Sequence, residues 1–189
     1  MKRIAIFASG SGSNAQNIIG YFAGRRDVLI DSLWSNNENA YALIRAERLG
    51  VETFTFNRED LYQSSDVLDE LEDRKIDLIV LAGFLWLLPR SVVEEFPVLN
   101  IHPALLPKYG GKGMFGRRVH QAVLDAGEKE SGITIHRVNA HYDEGAVLFQ
   151  QAFLLEKGET PETLTEKVHR LEFEYYPQVI EKFLFEDID

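Results

Sequence analysis

The sequence predicts an α/β protein: a Rossmann-like, mostly parallel sheet with helices on both faces and an antiparallel strand pair near the C-terminus. Three observations predict it. Short apolar, β-rich runs alternate with helical patterns up to residue 102, the order that builds a parallel sheet. A glycine-rich turn, Ser9-Gly10-Ser11-Gly12-Ser13-Asn14, joins the first run to the first helix. Beyond residue 110 the alternation stops. There two β-rich segments lie too close together for a helical crossover, so they pair antiparallel.

The elements follow in order. Ile4 to Ala8 is the first strand and Ala15 to Phe22 the first helix, where Ser13 and Gln16 have the spacing of a capping box. Val28 to Trp34 is the second strand, and Ala40 to Leu49 a helix closed by Gly50. Val51 to Phe56 is the third strand. Leu61 to Arg74 reads as one polar helix with Leu68 and Leu71 facing inward. Ile76 to Ala82 is apolar throughout, as a strand covered on both faces must be. Pro89 to Phe96 is a helix with Pro at its first position, and the strand after it ends at His102. Arg117 to Ala126 is a helix ended by Gly127, and Gly132 to Val138 with Ala146 to Leu155 is the antiparallel pair. The last helix starts with Thr160 as N-cap and Pro161 at its first position. Leu164, Val168, Leu171 and Tyr175 form its apolar stripe, and Pro177 kinks or shifts it.

The 189 residues suit one domain, and 45% apolar with 26% charged residues is ordinary for a protein with a real core. No run reaches the roughly 18 apolar residues of a membrane span. Met1-Lys2-Arg3 enters the first strand directly, which does not read as a signal peptide. With no cysteine there is neither disulfide nor thiolate chemistry, and we expect a cytoplasmic protein. A net charge of −10 argues against binding a nucleic-acid backbone.

Three stretches carry chemistry. In Asn100-Ile101-His102-Pro103, strand alternation turns Asn100 and His102 to one face. An amide donor beside an imidazole at a strand's C-terminal end suits oxyanion stabilisation and proton transfer; a strand end with a satisfied histidine is the plain alternative. In Ser9 to Asn14, glycines at a helix N-terminus suit a single phosphate. The turn lacks the Lys of a P-loop and the third glycine of a dinucleotide fingerprint, and a ligand-free tight turn is its alternative. The third stretch, His136 to Gly145, lies between the late strands. Asp143 there is a turn aspartate or a partner that raises the pKa of His102. His136, His141 and Asp143 are conceivable metal ligands, but their spacing matches no zinc pattern and we expect no metal. His136 reads as a packed strand residue and His120 as a helix-surface one.

Together these stretches resemble the folate-dependent formyltransferases, and at this length the glycinamide ribonucleotide formyltransferases among them. The matching residues are Ser9 to Asn14, Ser35-Asn36, Leu81 to Phe84, Asn100 to Tyr109, Gly132 to Val138 and Asp143 to Gly145. The resemblance implies a single formyltransferase-fold domain over 1–189. About 1–100 would be its ribonucleotide-phosphate half and about 101–189 its folate-binding and catalytic half. It implies 10-formyltetrahydrofolate as co-substrate, glycinamide ribonucleotide as acceptor and purine biosynthesis as setting. It assigns Asn100, His102 and Asp143 to catalysis, and Ser11, Gly12, Ser13, Asn14, His169 and Glu172 to the ribonucleotide. To the folate it assigns Arg58, Leu85, Trp86, Leu87, Leu88, Asn100, Asn139, Ala140, His141, Tyr142 and Asp143. It also implies a cis Leu106–Pro107 peptide, small-molecule partners only, and a monomer or weak homodimer. The chain departs from the pattern at Trp86, where some relatives have Arg, and at His169, where some have Gln. It departs again at Gly110 to Gly116, which lacks a second loop histidine. A 10-formyltetrahydrofolate hydrolase and a non-catalytic nucleotide-binding module are the rival readings.

Overall fold

The computed structural model describes residues 1–186; residues 187–189, the end of the expected 1–189 domain, lie outside the described residues. The chain forms two compact units, Met1–Leu99 and Asn100–Asp189.

The first unit holds β1 (Lys2–Phe7), α1 (Ser13–Phe22), β2 (Val28–Ser35), α2 (Tyr41–Arg48), β3 (Glu52–Thr55), α3 (Arg58–Tyr62), α4 (Asp66–Asp73), β4 (Leu78–Leu81), α5 (Arg90–Glu95) and the start of β5 (Val98–His102). Its strands run β3-β2-β1-β4, and all three of these pairings are parallel. The central strands are apolar on both faces because both are covered: Ile4 to Ala8 and Leu78 to Val80 are fully buried. Phe7 centres the core, stacked on Trp34 at 5.8 Å and edge-on to Phe84 at 5.5 Å.

Four expectations change here. The capping box at Ser13 is absent: Gly12 is the N-cap of α1, in the left-handed region, with no side-chain cap. Gln16 instead accepts a hydrogen bond from Arg45 of α2. The helix expected over Leu61 to Arg74 is two helices, because Asn57 caps a new start, accepting from Glu59 and Asp60, while Asp60 reaches back to the Asn57 N–H. The chain then restarts after Ser65, and Val67 with Leu71, rather than Leu68 with Leu71, form the buried face of α4. Pro89 is the N-cap of α5, one position earlier than expected.

The second unit holds the end of β5, α6 (Arg117–Asp125), β6 (Glu130–Arg137), β7 (Val147–Leu154) and α7 (Pro161–Phe185). The strands run β5-β6-β7, with β6 and β7 antiparallel as predicted. Their register shifts between Ile135 and His136, an irregularity that re-aims the strand end. α7 begins as expected, with Thr160 as a capping-box N-cap and Pro161 behind it, and it continues through Pro177 as one helix. Its buried stripe is Leu164, Val168, Glu172 and Tyr176; Leu171 and Tyr175 lie one position to the side and are half-buried. A strict four-residue step, which the helix sustains over these turns, keeps the polar Glu172 in the stripe. Among the described residues no helix is long and apolar enough to cross a membrane.

Candidate active site

β5 presents Asn100 and His102 on one face, and both turn to Asp143, in the turn between β6 and β7. Asn100 Nδ2 lies 3.5 Å from Asp143 Oδ1, and His102 Nδ1 lies 3.6 Å from Asp143 Oδ2. A fourth residue joins them. His136 Nε2 is 3.1 Å from Asn100 Nδ2 and 3.6 Å from Asp143 Oδ1.

Partner chemistry fixes the protons. His102 Nε2 is 2.9 Å from the Tyr109 carbonyl, which only accepts, so Nε2 carries the proton and Nδ1 faces the carboxylate. His136 Nδ1 donates in the same way to the Arg137 carbonyl at 3.2 Å. Its Nε2 then accepts from Asn100, which sets the amide with its nitrogen towards the cluster.

The electrostatics correct one expectation. Asp143 does favour the charged form of His102, but burial acts more strongly. With 3% exposure, His102 is held below its ordinary 6.5, burial outweighing the upward pull of Asp143 and of the Tyr109 carbonyl; His136 adds to the lowering. For Asp143, burial pushes upward. The surrounding His136 and His102 rings and the Gly111 N–H, which donates to Oδ2 at 2.9 Å, together hold it below 3.8. At neutral pH the pair is a carboxylate facing the lone pair of a neutral imidazole, poised to take up one proton.

The loop after β5 is held from behind. Thr134 Oγ1, fully buried, donates to the Ala104 carbonyl at 2.7 Å and accepts from the Leu106 N–H at 2.9 Å. Gln150 bonds both Thr134 and the Leu106 carbonyl. The Leu106–Pro107 peptide is cis. A Cβ at Gly110 would come within 2.7 Å of Leu106 Cδ2 and 3.1 Å of Asp143 Cβ, so the loop passes against the carboxylate only as glycine.

Sequence reasoning left His136 outside the site. The signal was there: Thr134 and His136 are two polar residues, two apart, on either side of Ile135 in the buried stretch of β6, the spacing that singled out Asn100 and His102. His120 is also corrected. It is buried at 2% exposure on α6, its Nδ1 has no hydrogen-bond partner, and burial lowers its pKa to about 4, with the nearby charges of His169 and His102 adding to the effect.

In the first unit, the turn after β1 directs its carbonyls into the protein. Ser9 O accepts from Asn37, Gly10 O from the Ala42 N–H, Ser11 O from Arg45 and Gly12 O from the Gln16 N–H. The start of α1, free of any side-chain cap, offers Ser13 and Asn14 next to exposed Ser11. That is the geometry of an anion site. Gly12 is required twice over, by a φ of 73° and by Ala42, whose Cα a Cβ would meet at 2.5 Å.

The remaining residues fall as follows. The Arg58 guanidinium lies over the Trp86 ring at 4.6 Å. Leu85 is partly exposed and its N–H donates to Ser9 Oγ; the Leu87 carbonyl accepts from Tyr62; Leu88 is buried. Asn139 caps its own turn, accepting from the His141 N–H, with Ala140 and Tyr142 half-buried and His141 exposed. His169 is half-exposed, 3.9 Å from the buried Glu172. Among the described residues no group of three or more His, Asp or Glu side chains is arranged to hold a metal ion.

The first unit is a parallel α/β unit, β6 and β7 pair antiparallel, and Asn100, His102 and Asp143 cluster at the end of β5. Residues 2–180 match the formyl transferase family, and the chain belongs to that family. The chain is 38% identical over 187 residues to the chloroplastic phosphoribosylglycinamide formyltransferase of Arabidopsis thaliana, covering 95% of this chain and 64% of that one. To the phosphoribosylglycinamide formyltransferase of Haemophilus influenzae it is 34% identical, over 97% and 87% of the two chains. The chain thus spans just under two thirds of the plant relative and most of the bacterial one. The crystal structure of phosphoribosylglycinamide formyltransferase from Anaplasma phagocytophilum superposes with a TM-score of 0.90 at 29% identity, over 100% of this chain and 89% of that one. The fold is the formyltransferase fold.

Proposed function

We propose that the protein transfers the formyl group of 10-formyltetrahydrofolate to the amine of glycinamide ribonucleotide, a step of purine biosynthesis. The observation that carries this reading is the Asn100–His102–Asp143 cluster, closed by His136, in a chain of the formyl transferase family. The relatives' names supply the acceptor.

The chemistry follows from the cluster. An α-amino group with a pKa of ~7.7–8.0 is partly free at neutral pH, so it needs positioning more than activation. Its attack on the formyl carbon makes a tetrahedral oxyanion and leaves a proton to be moved. The Asn100 amide nitrogen is the donor to the oxyanion; its bond to Asp143 is long enough at 3.5 Å to be exchanged for that oxygen. His102 takes a proton at Nδ1, the imidazolium being stabilised by Asp143 and the Tyr109 carbonyl, and passes it to the departing folate nitrogen. The turn from Ser11 to Asn14 takes the ribonucleotide phosphate, with His169 and Glu172 on the ribonucleotide. Arg58, the Leu85–Leu88 segment and the turn from Asn139 to Asp143 serve the folate, Trp86 acting through its stack with Arg58. No metal ion takes part in these steps. The partners are small molecules, and the protein acts in the cytoplasm as a monomer or weak homodimer.

The test is a pair of titrations on His102→Ala. The variant is expected to bind glycinamide ribonucleotide with its ordinary affinity and to transfer formyl at least about 10²-fold more slowly. Near-normal transfer by this variant removes His102 from the chemistry.

A further inference from the structure

The catalytic pair is held at two points by main-chain groups of one short turn: the Tyr109 carbonyl on His102 Nε2 and the Gly111 N–H on Asp143 Oδ2. That turn is conformationally demanding. Tyr109 has a φ of 59°, unusual for a residue with a side chain, and Gly111 a φ of 100°. Something must hold Tyr109 there. Tyr109 packs against the buried cluster that Ala104, Val119, Val123 and Leu164 form. Its hydroxyl donates to Glu128 Oε1 at 2.8 Å, and Lys108 Nζ reaches the same oxygen at 2.8 Å. Glu128 sits between α6 and β6, where its own N–H bonds the Val123 carbonyl. Its carboxyl is held below the ordinary range by Lys108 first and Tyr109 second, so it is the ionised, strongly accepting form.

We propose that Glu128 is a positioning residue: through the Tyr109 hydroxyl it holds the Tyr109 carbonyl on His102 Nε2, and so keeps the Nδ1 lone pair of the imidazole turned to Asp143. The inference rests on the assignment of His102 to proton transfer. Other charges facing the ring are Asp143 and His136, with His120 acting from α6. None of these favours the Nε2–H tautomer over its alternative by accepting a proton from Nε2. A lone pair on Nδ1 facing a carboxylate is the less favourable arrangement of a neutral ring, so without the Tyr109 carbonyl the proton moves to Nδ1.

The experiment reads the tautomer directly, by long-range proton–nitrogen correlation NMR of His102 above its pKa, with the signal assigned by its loss in His102→Asn. Wild type and Glu128→Gln, which retains an oxygen to accept from Tyr109, are expected to show Nε2–H. Tyr109→Phe and Glu128→Ala are expected to show Nδ1–H or a mixture, with kcat lowered about tenfold or more and both KM values within about twofold. Tyr109→Phe removes one oxygen only and carries the test if Glu128→Ala does not fold. An unchanged Nε2–H tautomer in the folded Tyr109→Phe variant overturns the proposal. This readout needs no substrate, so it fails or succeeds independently of the transferase reading.

Discussion

Replacing Asp143 by Asn separates charge from shape at the centre of the site. Asn tolerates the φ of 56° at this position, and its amide oxygen can still accept from the Gly111 N–H. What is lost is a negative charge 3.6 Å from His102 Nδ1, between side chains only 12% and 3% exposed. At an effective dielectric of ~20, unit charges at that separation interact by about 4–5 kcal/mol. That corresponds to roughly 3 pKa units, and close ion pairs ordinarily realise about 1–3. Removing the charge therefore lowers the imidazolium population available in the transition state by up to about 10³. We expect Asp143→Asn to reduce kcat by about 10²–10³ at saturating substrates, with a melting temperature within a few degrees of wild type. The His102 titration should move further down, since a raising influence has gone. Steady-state formyl transfer with a thermal melt on the same sample checks this. A kcat within about threefold of wild type in a folded variant would refute the role given to the carboxylate.

Other perturbations have equally definite outcomes. Asn14→Ala is expected to raise the KM for the ribonucleotide and spare folate affinity; an unchanged KM removes the turn after β1 from phosphate binding. Gly12→Ala drives a Cβ to 2.5 Å from Ala42 Cα at a positive φ, and should cost about 2–4 kcal/mol in urea unfolding. Thr134→Val strips the hydroxyl from three hydrogen bonds, leaving the Leu106 N–H and Ala104 carbonyl with a methyl group. A loss of about 2–4 kcal/mol is expected, together with reduced kcat as the loop after β5 loosens. His120 sets a pH dependence of stability. Its folded pKa, about 4, lies below the unfolded value of 6.5, so its contribution is present above pH 6.5 and is lost as the pH falls towards 4. That loss is about 3 kcal/mol, and His120→Leu should flatten the urea midpoint across this window.

The parts legible in the sequence are those set by local rules. Alternation placed Asn100 and His102 on one face, Thr160-Pro161 announced the start of α7, and the short spacing after residue 138 gave the antiparallel pair. What was not legible depends on which neighbours arrive. Ser13-x-x-Gln16 has a capping-box spacing, but Gln16 is taken by Arg45 from the next helix. Asn57 starts a helix that the apolar periodicity around Leu61 does not mark, because its signal is a cap rather than a stripe. His120 and His136 look alike in sequence, yet one is buried with an unpaired Nδ1 and the other is bonded to Asn100 beside Asp143. Nor does spacing reveal the sign of the His102 shift. That sign is decided by how completely the fold dries the ring, and here burial outweighs the carboxylate beside it.

The most direct test is the absorbance change when purified protein meets 10-formyltetrahydrofolate, with and without glycinamide ribonucleotide. The proposed function predicts turnover only with the ribonucleotide present, and its loss in His102→Ala. Deformylation at the same rate without ribonucleotide would contradict transfer and make the cluster a water-activating one. No turnover in either mixture would contradict catalysis and leave a nucleotide-binding module.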